Sequence, residues 1–161
     1  MYPAPNFEHK LCEPRLLATR LKTLPRPQVF TNGCFELLHR GHVTYLAQAR
    51  ALGASLIIGV NSDASVRQLN KGHGRPINDL QDRAAVVAAL ESVSLVTWFD
   101  EDTPLALILQ CRPDILVKGG DWKVENIVGA KEVSGWGGKV YSIPFIHERS
   151  STALLEKIRS S

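Results

Sequence analysis

The sequence predicts an α/β fold, a doubly wound parallel sheet with helices on both faces, on three observations. Short apolar runs bounded by turn residues alternate with stretches of helical periodicity along the chain, the pattern of strands joined by crossover helices. The run Ser55 to Val60 (Ser-Leu-Ile-Ile-Gly-Val) is apolar without alternation, which marks a strand buried on both faces. Residues suited to phosphate follow several of the strands, where ligands bind in such sheets. A length of 161 residues suits one domain with one core, with an N-terminal arm and helix over 1–28 and the sheet-bearing part over 29–161.

The elements follow in order. Residues 1–10 hold two prolines and read as a loose arm. Leu16, Leu17, Leu21 and Leu24 predict a helix within Leu11 to Leu24, with Pro14 in its first turn and Pro25-Arg26-Pro27 ending it. A first strand starts at Val29 and stops at Thr31-Asn32-Gly33. Val43, Leu46, Ala47 and Leu52 then predict a helix that Gly53 stops. After the strand to Val60, Asn61-Ser62-Asp63 offers caps for a short helix through Leu69. A glycine-rich basic loop, Asn70 to Pro76, precedes a long helix from Asp79, with Ala85, Val86, Ala89 and Leu90 as its apolar face. Ser94 to Phe99 is a strand, and Thr103-Pro104 opens a helix to Cys111. Asp114 to Lys118 is another strand. The segment 119–138 carries six glycines and two tryptophans, with a short helix expected over Ile127 to Val133. Lys139 to Ile143 is the last strand, and Ser150-Ser151-Thr152 caps a helix through Arg159.

Composition excludes several classes. Hydrophobic content of 44% and charged content of 22% suit a globular protein, and a net charge of +3 is too mild to argue for nucleic acid. No apolar segment is long enough to span a membrane, and the N-terminus lacks a signal-peptide pattern. Cys12, Cys34 and Cys111 are scattered and predict free thiols in a reducing compartment, the cytoplasm. Cys34 reads either as a small buried residue or as a reactive one in the site loop.

The chemistry gathers on Phe30 to Leu46. His39-Arg40-Gly41-His42 stands at the start of a helix, whose free N–H groups attract phosphate. Two imidazoles three residues apart project over that end, and Gly41 between them leaves room for a ligand or a close backbone. No carboxylate or Cys pair completes a zinc set nearby, so no metal ligands are assigned. Thr31 to Gly33 follow strand one, Asn61 to Asp63 strand two, and Lys118 to Asp121 strand four; Ser150 to Thr152 lie beyond the last strand. These converge on one end of the sheet. Lys71 and Arg75 read either as a solvated basic loop or as a clasp over a triphosphate. Arg83, early in its helix, opposes the dipole and calls for an anionic partner, either a ligand or Asp79 or Asp82. Trp122 reads as packing before base stacking. The hydroxyls of Ser150, Ser151 and Thr152 serve as caps, phosphate contacts or both, and Arg149 adds charge.

These residues resemble the His-x-Gly-His nucleotidyltransferases, a Rossmann-like superfamily that includes glycerol-3-phosphate cytidylyltransferase. Within it the chain most resembles the heptose-1-phosphate adenylyltransferases of lipopolysaccharide biosynthesis. The match runs in register from about Val29 to Ile158, through Phe-Thr-Asn-Gly-Cys-Phe, Gly-Val-Asn-Ser-Asp, Gly-Arg-Pro-Ile-Asn, Asp-Arg-Ala-Ala-Val, Val-Lys-Gly-Gly-Asp-Trp and Ser-Ser-Thr-Ala-Leu. The resemblance implies transfer of AMP from ATP to D-glycero-β-D-manno-heptose 1-phosphate without a covalent intermediate, with Mg²⁺ held mainly by the triphosphate. It implies catalytic roles for His39, His42, Lys71 and Arg83. Nucleotide contacts are expected from Thr31, Asn32, Gly33, Gly41, Lys118, Arg149, Ser150, Ser151 and Thr152. Acceptor contacts are expected from Cys34, Asn61, Asp63, Arg75, Asp121 and Trp122. Small molecules are the expected partners, in a stand-alone protein that assembles as a homodimer and engages neither nucleic acid nor membrane. Two departures from the cytidylyltransferases, Gly120 for an acidic residue and Phe145 for an arginine, disfavour cytidine and glycerol phosphate. A cytidylyltransferase acting on a small phosphorylated alcohol, or a nucleotide-binding regulator of the same fold, are the alternatives.

Overall fold

The computed structural model describes every residue except Asn70, Lys71, Glu148 and Arg149. Its centre is a five-stranded sheet in the order β3-β2-β1-β4-β5, with every pair parallel. The strands are β1 (Gln28–Gly33), β2 (Ser55–Asn61), β3 (Leu95–Phe99), β4 (Ile115–Gly119) and β5 (Lys139–Ile143). The helices are α1 (Leu17–Leu21), α2 (Arg40–Arg50), α3 (Asp63–Gln68), α4 (Leu80–Ala88), α5 (Leu105–Cys111), α6 (Ala130–Gly135) and α7 (Ser151–Arg159). The chain winds outward through β2 and β3, then returns to the far side of β1 for β4 and β5. The order therefore reverses between β1 and β4, which opens the crevice where such sheets take ligands.

Side chains alternate across the sheet and divide the core in two. On one face Val29, Leu56, Ile58, Val60, Val96 and Val117 pack against Tyr45, Leu46 and Ala49 of α2 and Ala84, Val87 and Ala88 of α4. On the other, Phe30, Ile57, Leu95 and Leu116 pack against α1, α5 and α6 through Leu17, Leu21, Leu107, Ile108 and Val133. The doubly wound α/β expectation holds. No helix among the described residues is long and apolar enough to cross a membrane.

Several boundaries differ from the sequence expectation. Residues 1–5 are exposed and without regular structure, as expected of an arm, but Asn6–Lys10 form a 3-10 turn, Phe7 packs on the core, and Leu11 bridges Val96. The first helix shrinks to Leu17–Leu21 after a 3-10 turn at Pro14–Leu16, because Leu11 and Cys12 are committed to that bridge. On α4 the buried stripe is Arg83, Ala84, Val87 and Ala88, while Val86 is 53% exposed. Treating arginine as an outward residue turns the helix by about one position; here it is the inward residue. Helix α6 lies at 130–135 rather than 127–133, preceded by a 3-10 turn at Val124–Asn126. Thr31, Asn32 and Gly33 belong to the end of β1 rather than to a loop beyond it, and Lys118 lies at the end of β4 as expected.

Candidate active site

His39 is the N-cap of α2 in extended conformation, and His42 is the third residue of the helix. That spacing brings the rings face to face, 3.9 Å between centroids and 22° apart in plane. Gly41 makes the stack possible: a Cβ there would stand 3.0 Å from two atoms of the His39 ring and 3.2 Å from the His147 carbonyl oxygen. Of the two expectations at Gly41, the close backbone is present in the His147 carbonyl, and the His39 ring takes the space that a ligand would need. Phe35 closes the other side of His42, 5.4 Å away. Burial is the main reason that the His42 pKa falls to about 4; repulsion from His39 adds to it, and the Leu37 backbone works weakly the other way. His42 is therefore neutral at pH 7 and offers one N–H donor.

The pair faces a cleft of about 210 Å³ bordered by Cys34, Glu36, Arg75, Phe145 and Ser150 to Thr152. Helix α7 starts at its far wall. Ser150 Oγ accepts the Ala153 N–H at 3.0 Å, a plain N-cap, and Ser151 Oγ donates to the Leu37 carbonyl at 2.9 Å. Ser151 thereby ties α7 to the β1–α2 loop. Two helix N-termini, each with unpaired N–H groups, so converge on one cavity. Phe145 meets Tyr45 edge-on at 5.4 Å, and Tyr45 is kept un-ionised because burial drives its phenol pKa far up.

Arg83 sits under the cleft, not in it. It is 1% exposed; its Nε donates to Asn78 O at 3.0 Å, Nη1 to Cys34 O at 2.6 Å and Asn61 O at 2.8 Å, and Nη2 to Asp63 Oδ1 at 2.7 Å. The expected catalytic contact is corrected on this geometry: Arg83 fastens the ends of β1 and β2 to the start of α4, and Asp63 is its partner rather than Asp79 or Asp82. Asp79 caps α4 through the Asp82 N–H. Asn61 is likewise buried, its amide on Ser65 Oγ at 2.9 Å. Neither Asn61 nor Asp63 borders the cleft, which counts against both as acceptor contacts.

Arg75 does border it, in a way that the sequence did not foretell. Its side chain is 7% exposed and paired with Glu36, whose side chain is 2% exposed. Nε donates to the two Glu36 oxygens at 2.7 and 2.9 Å, and Nη2 also donates to Oε2. Glu36 was missed; a lone acid in an apolar stretch gives no signal without its distant partner.

The remaining candidates lie apart. Thr31 is buried beneath the site beside Tyr45. Gly33 packs on Phe35, with room for no Cβ beyond 3.0 Å of that ring. Asn32, Lys118 and Trp122 line a second, smaller cavity of about 100 Å³ with Asn126, Ile127 and Val128. Trp122 is half exposed rather than packed in the core, its indole N–H on Gly119 O and its ring 5.7 Å from Lys118 Nζ. Asp121 is exposed beside it. Gly120 has φ +115°, a conformation that an aspartate in its place would enter only under strain. Lys71 and Arg149 fall outside the described residues.

A family model described as cytidylyltransferase-like matches residues 30–157. The chain belongs to the cytidylyltransferase-like family. A D-beta-D-heptose 1-phosphate adenylyltransferase of Bordetella bronchiseptica is 59% identical over 156 residues, covering 96% of each chain. The bifunctional protein HldE of Pseudomonas paraeruginosa is 58% identical over 131 residues; these are 81% of this chain and 27% of that protein, so the chain spans about a quarter of its length. Among solved structures, a lipopolysaccharide core biosynthesis protein from Thermoplasma volcanium GSS1 superposes with a TM-score of 0.60 at 26% identity, over 76% of this chain and 98% of that one.

Proposed function

We propose that this cytidylyltransferase-like chain transfers AMP from ATP to D-glycero-β-D-manno-heptose 1-phosphate, giving ADP-heptose and pyrophosphate. The observation that carries the reaction type is the stacked His39–His42 pair at the start of α2, set across one cleft from the start of α7. The substrate pair comes from the adenylyltransferase that is 59% identical over nearly the whole chain. A phosphate oxygen of the sugar attacks the α-phosphorus; the bond to the β-phosphate oxygen breaks and pyrophosphate carries away the charge. Such a step needs alignment and preorganised donors rather than a nucleophile of the protein's own. The imidazole N–H groups of His39 and His42 and the two helix ends are donors of that kind. Magnesium enters with the nucleotide as MgATP, since phosphate oxygens and water satisfy it without a dedicated protein cage. Cys12, Cys34 and Cys111 are joined by no disulfide among the described residues, which suits the reducing cytoplasm.

The test is pyrophosphate release by the purified protein with magnesium. ATP should be consumed only when the heptose 1-phosphate is present, and CTP with glycerol 3-phosphate should give little. His39→Ala and His42→Ala should each lose roughly 10²–10³ in turnover, the usual loss for one preorganised donor. Faster turnover with CTP, or with another acceptor, would keep the family and overturn the substrates.

A further inference from the structure

We infer that Glu36 is a positioning residue that aims Arg75 at a phosphate group of the bound substrates. The inference rests on reading the cleft as the nucleotidyl-transfer site. A guanidinium has more than one hydrogen-bonding edge, and a carboxylate can occupy only one. Glu36 takes the edge formed by Nε and Nη2. Among the described residues no acceptor takes Nη1, and Arg75 borders the same cleft as His39 and His42. The free edge is the fork that matches two phosphate oxygens.

The surroundings of Arg75 explain why a clamp is required. Gly72 and Gly74 precede it with positive φ, and an added Cβ at either would meet nothing within 4 Å, so neither glycine is held by packing there. Glu36 holds the other side at three points. Its carboxylate takes Arg75 and the Ile77 N–H at 3.3 Å, and its carbonyl takes the Asn78 side-chain amide at 3.2 Å. Asn78 O in turn receives Arg83. A buried ion pair of this kind is seldom retained for stability, because apolar residues of equal volume do as well. Its use here is direction. Arg75 and the start of α7 border the one cleft that the histidines face, a layout suited to an attacking phosphate on one side and a leaving pyrophosphate on the other.

Removing a negative charge from a phosphate site should tighten anion binding by Coulomb's law alone. The inference demands the opposite sign. Inorganic pyrophosphate and ATP are titrated calorimetrically against wild type, Glu36→Gln, Glu36→Asp, Arg75→Lys and the double variant Glu36→Gln/Arg75→Lys. Melting temperatures are measured alongside, and affinities are compared well below the melting point of each variant. Glu36→Gln and Arg75→Lys should each weaken binding roughly tenfold, the loss of a charge-assisted fork, and the double variant should be no weaker than Arg75→Lys. Weakening confined to the KM of the sugar phosphate in turnover, with ATP and pyrophosphate affinity unchanged, assigns the phosphate to the acceptor and still upholds the inference. Unchanged or tighter binding of all three phosphates by Glu36→Gln or, should that variant not fold, by Glu36→Asp overturns it. A wild type that binds pyrophosphate but turns over no sugar phosphate overturns the proposed function and leaves this inference to the binding data.

Discussion

His42 binds fewer protons in the folded protein than in the unfolded chain at any pH between its folded pKa of about 4 and its ordinary value of 6.5. Where the unfolded state binds more protons, stability rises with pH. The contribution is therefore whole above about pH 6.5 and is lost as pH falls toward 4. The melting temperature should drop across that window, and the drop should be shallower in His42→Asn than in wild type. Equal slopes in scanning calorimetry would show that burial does not hold this imidazole neutral. The same residue shows what a sequence discloses at this scale. His39, Gly41 and His42 are neighbours on one helix end, so the meeting of the two imidazoles there is legible in the sequence, whereas their face-to-face stack is a finding of the structure. Glu36 and Arg75 stand 39 residues apart, and neither has a local reason to be where it is. Gly41 reads from sequence as a place for a ligand or a close backbone; the backbone that approaches, at His147, lies far along the chain, and the His39 ring arrives by a rotamer that spacing does not fix.

Helix α4 carries the clearest case of an element organised by one buried charge. Its inward stripe starts with Arg83, whose guanidinium joins Asn78, Cys34, Asn61 and Asp63. Replacing it with leucine leaves the Asp63 carboxylate and three carbonyl groups without their donor. Breaking one side of a buried charge network costs about 3–5 kcal/mol. Arg83→Leu should lower the urea midpoint accordingly and reduce turnover through the displaced β1 and β2 ends, while Arg83→Lys, charged but unforked, should fall between. A variant with the wild-type midpoint and abolished turnover would instead return Arg83 to direct substrate contact. Elements whose signals are local were read closely from sequence: Ser62, Asp79 and Ser150 all accept the N–H three residues on, as capping chemistry predicts. The periodicity of α4 misled because a paired arginine packs inward like an apolar residue. Gly120 could be noted as a departure, but its positive φ, which disfavours the missing aspartate, is a property of the turn.

At the scale of the whole molecule, β3 and β5 are the two edges of the sheet. Exposed edges invite pairing with other chains. The β3 edge is covered by the start of the chain, which reads from sequence as a loose arm to residue 10 and a helix from Leu11. Leu11 forms a parallel bridge to Val96, the Cys12 N–H donates to Val96 O at 2.8 Å, and Lys10 Nζ reaches Leu90 O at 3.0 Å. Phe7 packs on the core from outside. Two prolines and few apolar residues conceal this, because the partner strand lies far along the chain. Removal of residues 1–11 uncovers β3 and withdraws the partly buried Phe7 together with the Lys10 hydrogen bond to Leu90 O, a combined loss of about 1.5–3 kcal/mol. For a protein of this size the melting temperature should fall by roughly 3–12 °C, and turbidity should appear at lower temperature as bare edges pair. None of these residues borders the cleft, so kcat and KM measured well below the melting point should match the full chain. Unchanged melting would mean that the arm contributes nothing to the sheet, whereas an altered KM would bring it to the site.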